Sequence, residues 1–151
     1  MLNYFELFEL PVQYSIDNNE LTIRYLKKQR EFHPDNSGSD YCSVTLNTAY
    51  STLKNPLQRA EYVLSLSGKN ADIMPSALAV KMFDLRDKFS QLDNDSARLN
   101  FISEQEKHVD DLLQTLKIYE IQSEEFYLTF CEAKFIHSFI EKVQNNACDR
   151  D

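Results

Sequence analysis

His33 and Asp35, a histidine and a carboxylate two residues apart, have the side chains of an acid–base pair. Their surroundings do not suit catalysis. Pro34 holds the peptide between them in a rigid turn, no third group orients the pair, and the only other histidines are His108 and His137. Metal chemistry finds no better footing. The three cysteines, Cys42, Cys131 and Cys148, are an odd number without a C-x-x-C pair, and no His/Cys spacing resembles a ligand set. Reduced thiols in a cytoplasmic protein are expected. With two glycines, Gly38 and Gly68, a G-x-G-x-x-G loop is excluded. A P-loop fails too, because Val63 stands five positions before Gly68 and Lys69 is followed by Asn70. No cofactor, no metal and no enzymatic activity are expected. What remains is a concentration of charge: Arg24, Lys27, Lys28 and Arg30 fall within seven residues, offset by Glu31, just before His33-Pro34-Asp35.

The elements that carry these groups read as helices throughout. Tyr4, Phe5, Leu7, Phe8 and Leu10 form a short apolar block closed by Pro11. Asp17 with Glu20 three positions on reads as a capping box. The helix it opens must end before Pro34, since the residue preceding proline avoids the α region. On that helix Leu21, Tyr25 and Phe32 share a core stripe, while Arg24, Lys27 and Arg30 fan around the flank and back. His33 to Asp40 is a polar loop. A third helix spans about 41–54. Asn55-Pro56 breaks the chain with proline at a first helical turn, and a fourth helix follows to Ser67, with Gly68 as its C′ residue. Residues 69–75 read as a linker. Three longer helices follow at about 76–92, 95–118 and 123–145, separated by Asp93-Asn94-Asp95 and Gln122-Ser123. No alternating run predicts a strand.

The chain has 151 residues, 42% hydrophobic and 26% charged, which suits one folded domain or two small ones sharing a core. Its net charge of −8 argues against nucleic-acid binding, which needs a basic footprint. Residues 1–68 carry net −2 and residues 69–151 net −6, so the basic helix stands out against an acidic background. Residues 1–10 include Glu6 and Glu9 and no basic residue, so no secretory signal is expected. No window approaches 18 uncharged apolar residues, so no membrane span is expected.

A short helix, a basic helix, His33-Pro34-Asp35 in a loop and a third helix together resemble the J-domain. Longer stretches resemble the HscB family, the J-proteins of iron–sulfur cluster assembly. These are Asn3-Tyr4-Phe5-Glu6-Leu7-Phe8 with Leu10-Pro11, Asn47-Thr48-Ala49-Tyr50, Leu53-Lys54-Asn55-Pro56-Leu57, and Arg59-Ala60-Glu61-Tyr62-Val63-Leu64-Ser65-Leu66. The resemblance implies an all-α, L-shaped molecule: a J-domain over 1–68, a linker over 69–75, and a three-helix bundle over 76–151 on which the J-domain packs. It implies that Arg24, Tyr25, Lys27, Lys28, Arg30, His33, Pro34 and Asp35 engage a DnaK-type chaperone, HscA, and stimulate its ATPase. The departures are Asn36 directly after the tripeptide, where a basic residue is usual, a short loop and a short C-terminal part. The cysteine-rich extension of eukaryotic relatives is absent, so a bacterial-type, metal-free protein is expected.

The C-terminal helices add an observation of their own. With Leu78 at 0° on a helical wheel, Met82, Leu85, Phe89 and Leu92 fall within about 40° and form a core stripe, while Phe83, Asp87, Val80 and Asp84 lie at roughly 140–240°. Phe126, Phe130, Ala133, His137 and Ile140 form the stripe of the last helix, with Leu128 and Phe135 opposite. Leu99, Ile102, Val109, Leu113 and Leu116 read as the core of the middle helix. Apolar residues opposite a core stripe either pack under the J-domain, since some face must do so, or form an exposed apolar patch, which marks a partner site. In the HscB family the bundle's first and last helices bind the cluster scaffold protein IscU. The resemblance places Val80, Phe83, Asp84, Asp87 and Phe135 at those positions. Two other classes remain open: a generic J-protein delivering unfolded clients, and a helical adaptor whose basic face is merely solvated.

Overall fold

The computed structural model describes residues 3–31 and 40–148. The expected loop from His33, and Phe32 before it, lie outside the described residues. The chain divides into two compact units, Met1–Leu66 and Ser67–Asp151. Among the described residues seven α-helices run in order: α1 (Tyr4–Leu7), α2 (Asn18–Glu31), α3 (Asp40–Lys54), α4 (Pro56–Leu66), α5 (Ser76–Ser90), α6 (Asp95–Thr115) and α7 (Glu124–Cys148). A 3₁₀ turn, Leu116–Ile118, follows α6. There is no strand among the described residues.

The boundaries follow from side chains that satisfy helix ends. Asn3 and Glu6 form a reciprocal capping box on α1, with bonds of 2.9 and 3.0 Å. The box expected at α2 is half made: Asp17 Oδ1 accepts the Asn19 N–H at 2.8 Å, while Glu20 turns to Arg24. Asn55 Oδ1 accepts the N–H groups of Leu57 and Gln58, and Pro56 occupies the first turn of α4. Gly68, at φ 75°, supplies the left-handed backbone just past α4. Asn94 caps α6 and Ser123 caps α7.

The first unit closes around Phe5, Phe8, Leu21, Leu46, Leu53, Val63 and Leu64, all fully or almost fully buried. One cation is buried with them. Arg59 Nη1 donates to the Leu53 carbonyl at 2.6 Å and to Asn18 Oδ1 at 3.3 Å, and its guanidinium lies 5.2 Å from the Tyr14 ring centre. Burial pulls the Arg59 pKa down and pushes the Tyr14 hydroxyl up, and each opposes the other's shift.

The second unit closes around α7, whose Phe126, Phe130, Cys131, Ala133, Ile136 and Ile140 are buried. Leu78 and Met82 of α5 and Ile102, Val109 and Leu113 of α6 join them. Leu99 departs from its expected core role: it is 66% exposed, one turn before the stripe that Ile102 begins. Phe89 takes its place at that end of the bundle, between Phe101 and Phe139 at centroid distances of 5.8 and 5.5 Å, with Arg98 over its ring. His137, expected on the core stripe, is partly exposed beside Glu141. Cys131 lies on the side of α7 that carries Tyr127 and Lys134, which hold the segment before α5. There Tyr127 donates to the Asn70 carbonyl, Lys134 pairs with Asp72 at 2.8 Å, Lys69 donates to the carbonyls of Gln122 and Ser123, and Ala71 is buried. Burial pushes the Cys131 thiol above its ordinary pKa.

Arg59→Ala is expected to destabilise the first unit by about 3 kcal/mol, because it leaves a buried carbonyl without a donor and opens a cavity. Urea unfolding followed by tyrosine near-ultraviolet circular dichroism measures this. A cost below about 1 kcal/mol would mean that the buried cation adds nothing to apolar packing.

Candidate chaperone-docking and partner faces

Two faces carry the groups singled out by the sequence, one in each unit. On α2 the four cations divide according to their angle from the core stripe. Relative to Leu21, Lys28 and Arg24 project at roughly −20° and −60°, towards the body of the unit, whereas Arg30 and Lys27 project at roughly 180° and 240°. Lys28 is accordingly 19% exposed and Lys27 65%.

Arg24 is committed to the end of α1. Its Nη1 donates to the carbonyls of Phe8 and Glu9 at 3.1 and 2.7 Å, and its Nε and Nη2 donate to Glu20 Oε1 at 3.0 and 2.7 Å. Lys28 Nζ sits 2.9 Å from Glu9 Oε1 and 3.5 Å from Glu31 Oε2. Lys27 reaches Glu31 only at 4.0 Å. Arg30 is exposed and has no ion pair among the described residues. Tyr25 is half-buried. Its ring stacks on Tyr50 at 4.1 Å, and its hydroxyl donates to Asn47 and accepts from Gln29, so it fastens α2 to α3. His33, Pro34 and Asp35 lie outside the described residues.

Two residues absent from the sequence-based set stand on the outward face of α2. Ile23 is 68% exposed, and Leu26 is also exposed. They lie at roughly 200° and 140° from Leu21, on either side of Arg30. Comparing apolar positions with the core stripe, the test that singled out Val80 and Phe83, finds these two when applied to α2.

In the second unit Phe83 is 71% exposed and Val80 69%. Asp84 and Asp87 are exposed on the same helix. Asp87 accepts a bond from Gln91 Nε2 at 2.8 Å. Asp84 borders a cleft of about 450 Å³ between α5 and α6, lined also by Lys81, Leu85, Lys88, Phe101 and Glu104. Phe135 on α7 is half-buried, less open than its position opposite the core stripe predicts. The reason is that α7 is covered on more than one side, as fully buried Cys131 near the same face also shows. Lys81 pairs with Glu132 at 3.0 Å, and Glu132 also lies 3.7 Å from His108. That carboxylate joins all three helices of the unit, and it ties α5 to α7 two residues before Phe83 and three before Phe135.

Both faces are surfaces rather than enclosed reaction sites. Among the described residues no three His, Cys, Asp or Glu side chains are grouped to hold a metal ion, and no helix is long and apolar enough to cross a membrane.

No family model matches the chain. Solved structures do. Chaperone HscB from Vibrio cholerae is 30% identical, with a TM-score of 0.68 over 96% of this chain and 99% of that one. The Jac1 co-chaperone from Saccharomyces cerevisiae is 25% identical, with a TM-score of 0.74 over 96% of this chain and 94% of that one. The human co-chaperone HscB, at 22% identity and a TM-score of 0.76 over 96% and 82% of the two chains, shares the fold. An all-helical architecture, a basic second helix leading into His33-Pro34-Asp35, and a 30% identical relative matched over nearly its whole length converge: the chain belongs to the HscB family, the J-domain co-chaperones of iron–sulfur cluster assembly.

Proposed function

We propose that this protein stimulates the ATPase of the DnaK-type chaperone HscA and delivers the iron–sulfur scaffold protein IscU to it, performing no chemistry of its own. In this reading residues 1–68 act as the J-domain, 69–75 as the connection, and 76–151 as the scaffold-binding bundle, in the cytoplasm. Lys27 and Arg30 meet an acidic surface of the ATPase domain, with Ile23 and Leu26 supplying apolar contact between them. Arg24, Tyr25 and Lys28 hold that face in place from behind. His33, Pro34 and Asp35 engage the chaperone beyond the end of the helix. Val80, Phe83, Asp84, Asp87 and Phe135 receive IscU. The observation that supports the scaffold site most directly is Phe83: a phenylalanine 71% open to water, on a helix whose core positions are already filled by Leu78 and Met82.

His33→Gln is expected to abolish stimulation of HscA while leaving the far-ultraviolet circular dichroism unchanged, since a side chain in the loop expected from the sequence would contribute little to a core. Stimulation at the wild-type rate would sink the J-domain mechanism.

Salt reports on the basic face. Screening shortens the Debye length from about 10 Å at 0.1 M to about 3 Å at 1 M. HscA affinity is therefore expected to fall steeply across that range, and a Lys27→Ala/Arg30→Ala variant is expected to bind more weakly with a shallower salt slope. Affinity indifferent to salt would mean a face that is only solvated.

The scaffold site is tested by Phe83→Ala/Phe135→Ala. Truncating buried phenylalanine costs about 3–5 kcal/mol. Exposed Phe83 is expected to cost far less and half-buried Phe135 an intermediate amount. At an interface each truncation removes about 2 kcal/mol of binding, roughly thirtyfold in affinity. The double variant is expected to remain folded and to stimulate HscA alone, yet to lose IscU binding in calorimetry. Unchanged IscU affinity in a folded variant would leave a generic J-protein as the better account.

A further inference from the structure

The turn after α1 is a Schellman closure. The Leu10 N–H donates to the Phe5 carbonyl at 2.8 Å and the Glu9 N–H to the Glu6 carbonyl at 3.0 Å. This closure requires a left-handed residue at the position after the cap, usually glycine and sometimes asparagine. Here the residue is Glu9, at φ 56°, the only non-glycine with positive φ among the described residues. A side chain in that region crowds the following carbonyl. Nothing in the closure itself needs a carboxylate, because both of its bonds are backbone bonds that glycine would make.

The carboxylate instead faces the basic helix. Glu9 Oε1 bonds Lys28 Nζ at 2.9 Å, and Oε2 lies 3.8 Å from Arg24 Nη1. Glu20 and Glu31 pair with the same cations from within α2, as helix neighbours ordinarily do. Glu9 comes from another element. Against the four cations and two carboxylates of α2 it is a third negative charge, and it halves the excess positive charge of that helix. Lys28 in turn, with Lys27 and Arg24 near, holds the Glu9 carboxyl below the usual carboxylate range, so it stays ionised under ordinary conditions.

We propose that Glu9 is a built-in counter-ion that tempers the docking face of α2: its carboxylate occupies Lys28 and lowers the field that an acidic partner surface would meet. This rests on the reading that α2 docks on an acidic surface of a DnaK-type ATPase. Glu9 binds the inward cations and leaves Lys27 and Arg30 to the partner, so it weakens the field around the outward pair without touching it, and the chain trades affinity for easier release.

The test compares wild type, Glu9→Gln, Glu9→Gly and Lys27→Ala/Arg30→Ala for binding to HscA, in full-length protein at 0.1 M and 1 M salt. Glu9→Gln keeps the side-chain shape and removes the charge. Glu9→Gly also relieves the backbone and is expected to melt no lower than wild type. Both are expected to bind HscA about two- to fivefold more tightly at 0.1 M salt, the worth of an exposed ion pair, with the gain vanishing at 1 M. If both Glu9 variants bind as wild type or more weakly while Lys27→Ala/Arg30→Ala loses affinity, the docking face stands and the counter-ion role is overturned. If Lys27→Ala/Arg30→Ala binds as wild type, the docking face itself fails and takes the proposal with it.

Discussion

A single buried cation organises the first unit, and its partners explain why. The Leu53 carbonyl lies at the end of α3, where the chain breaks at Asn55-Pro56. The Leu57 N–H, which would continue the helical ladder to that carbonyl, goes to the Asn55 side chain instead. The cap that starts α4 therefore orphans the carbonyl that ends α3. Arg59, one turn into α4, reaches back to satisfy it, and the same Nη1 takes Asn18 at the first residue of α2. Tyr14, in the loop before α2, stacks beneath. Two stretches far apart in sequence, Tyr14 to Asn18 and Leu53 to Arg59, are fixed together by one guanidinium, whose planar fork suits several acceptors at once. The origin of α2, and with it the angle at which every side chain of that helix emerges, follows from this contact.

Fixing that angle gives the charges of α2 two different tasks. Arg24 and Lys28 turn inward, onto the end of α1 and Glu9, and Lys27 and Arg30 turn outward. Tyr25 and Tyr50, stacked face to face with their hydroxyls bonded to neighbouring side chains, keep α2 on α3 without placing a charge in the seam. The basic run is thus half scaffold and half surface, and removing an inward cation would disturb the geometry from which the outward pair projects.

Much of this was legible in the sequence because it rests on local chemistry. Asn55-Pro56 and Gly68 stand at the helix ends where expected, and Asn94 and Ser123, within the expected turns, prove to be the caps of α6 and α7. The stripes of α5 and α7 follow from a period of about 3.6 residues. What escaped depends on contacts distant in sequence. The burial of Arg59 needs α2 and α3 to be in place. The engagement of Arg24 by two carbonyls just past α1 cannot be read from a run of basic letters. Leu99 fits the stripe of α6 but stands where no neighbouring helix reaches, and Phe135 lies opposite its own stripe yet is half covered because α7 is the central helix of its unit. Left-handed Glu9 is the extreme case, since residue type argues against the backbone it adopts.

The second unit is unevenly anchored. Among the described side chains α7 buries six apolar ones and α6 three, whereas α5 buries only Leu78 and Met82 and adds the Lys81 link to Glu132. Local opening free energies track such differences, so amide hydrogens of α5 should exchange through smaller fluctuations than those of α7. The helix that displays Val80 and Phe83 is therefore also the one with most motion left to lose. A protein that settles on it restricts that motion, and part of the contact free energy is offset by the entropy of the ordered helix. Affinity at this face is then governed by how firmly α5 is held before the encounter as well as by the side chains it presents: tightening its attachment, at positions that touch no partner, would strengthen binding through the free state alone.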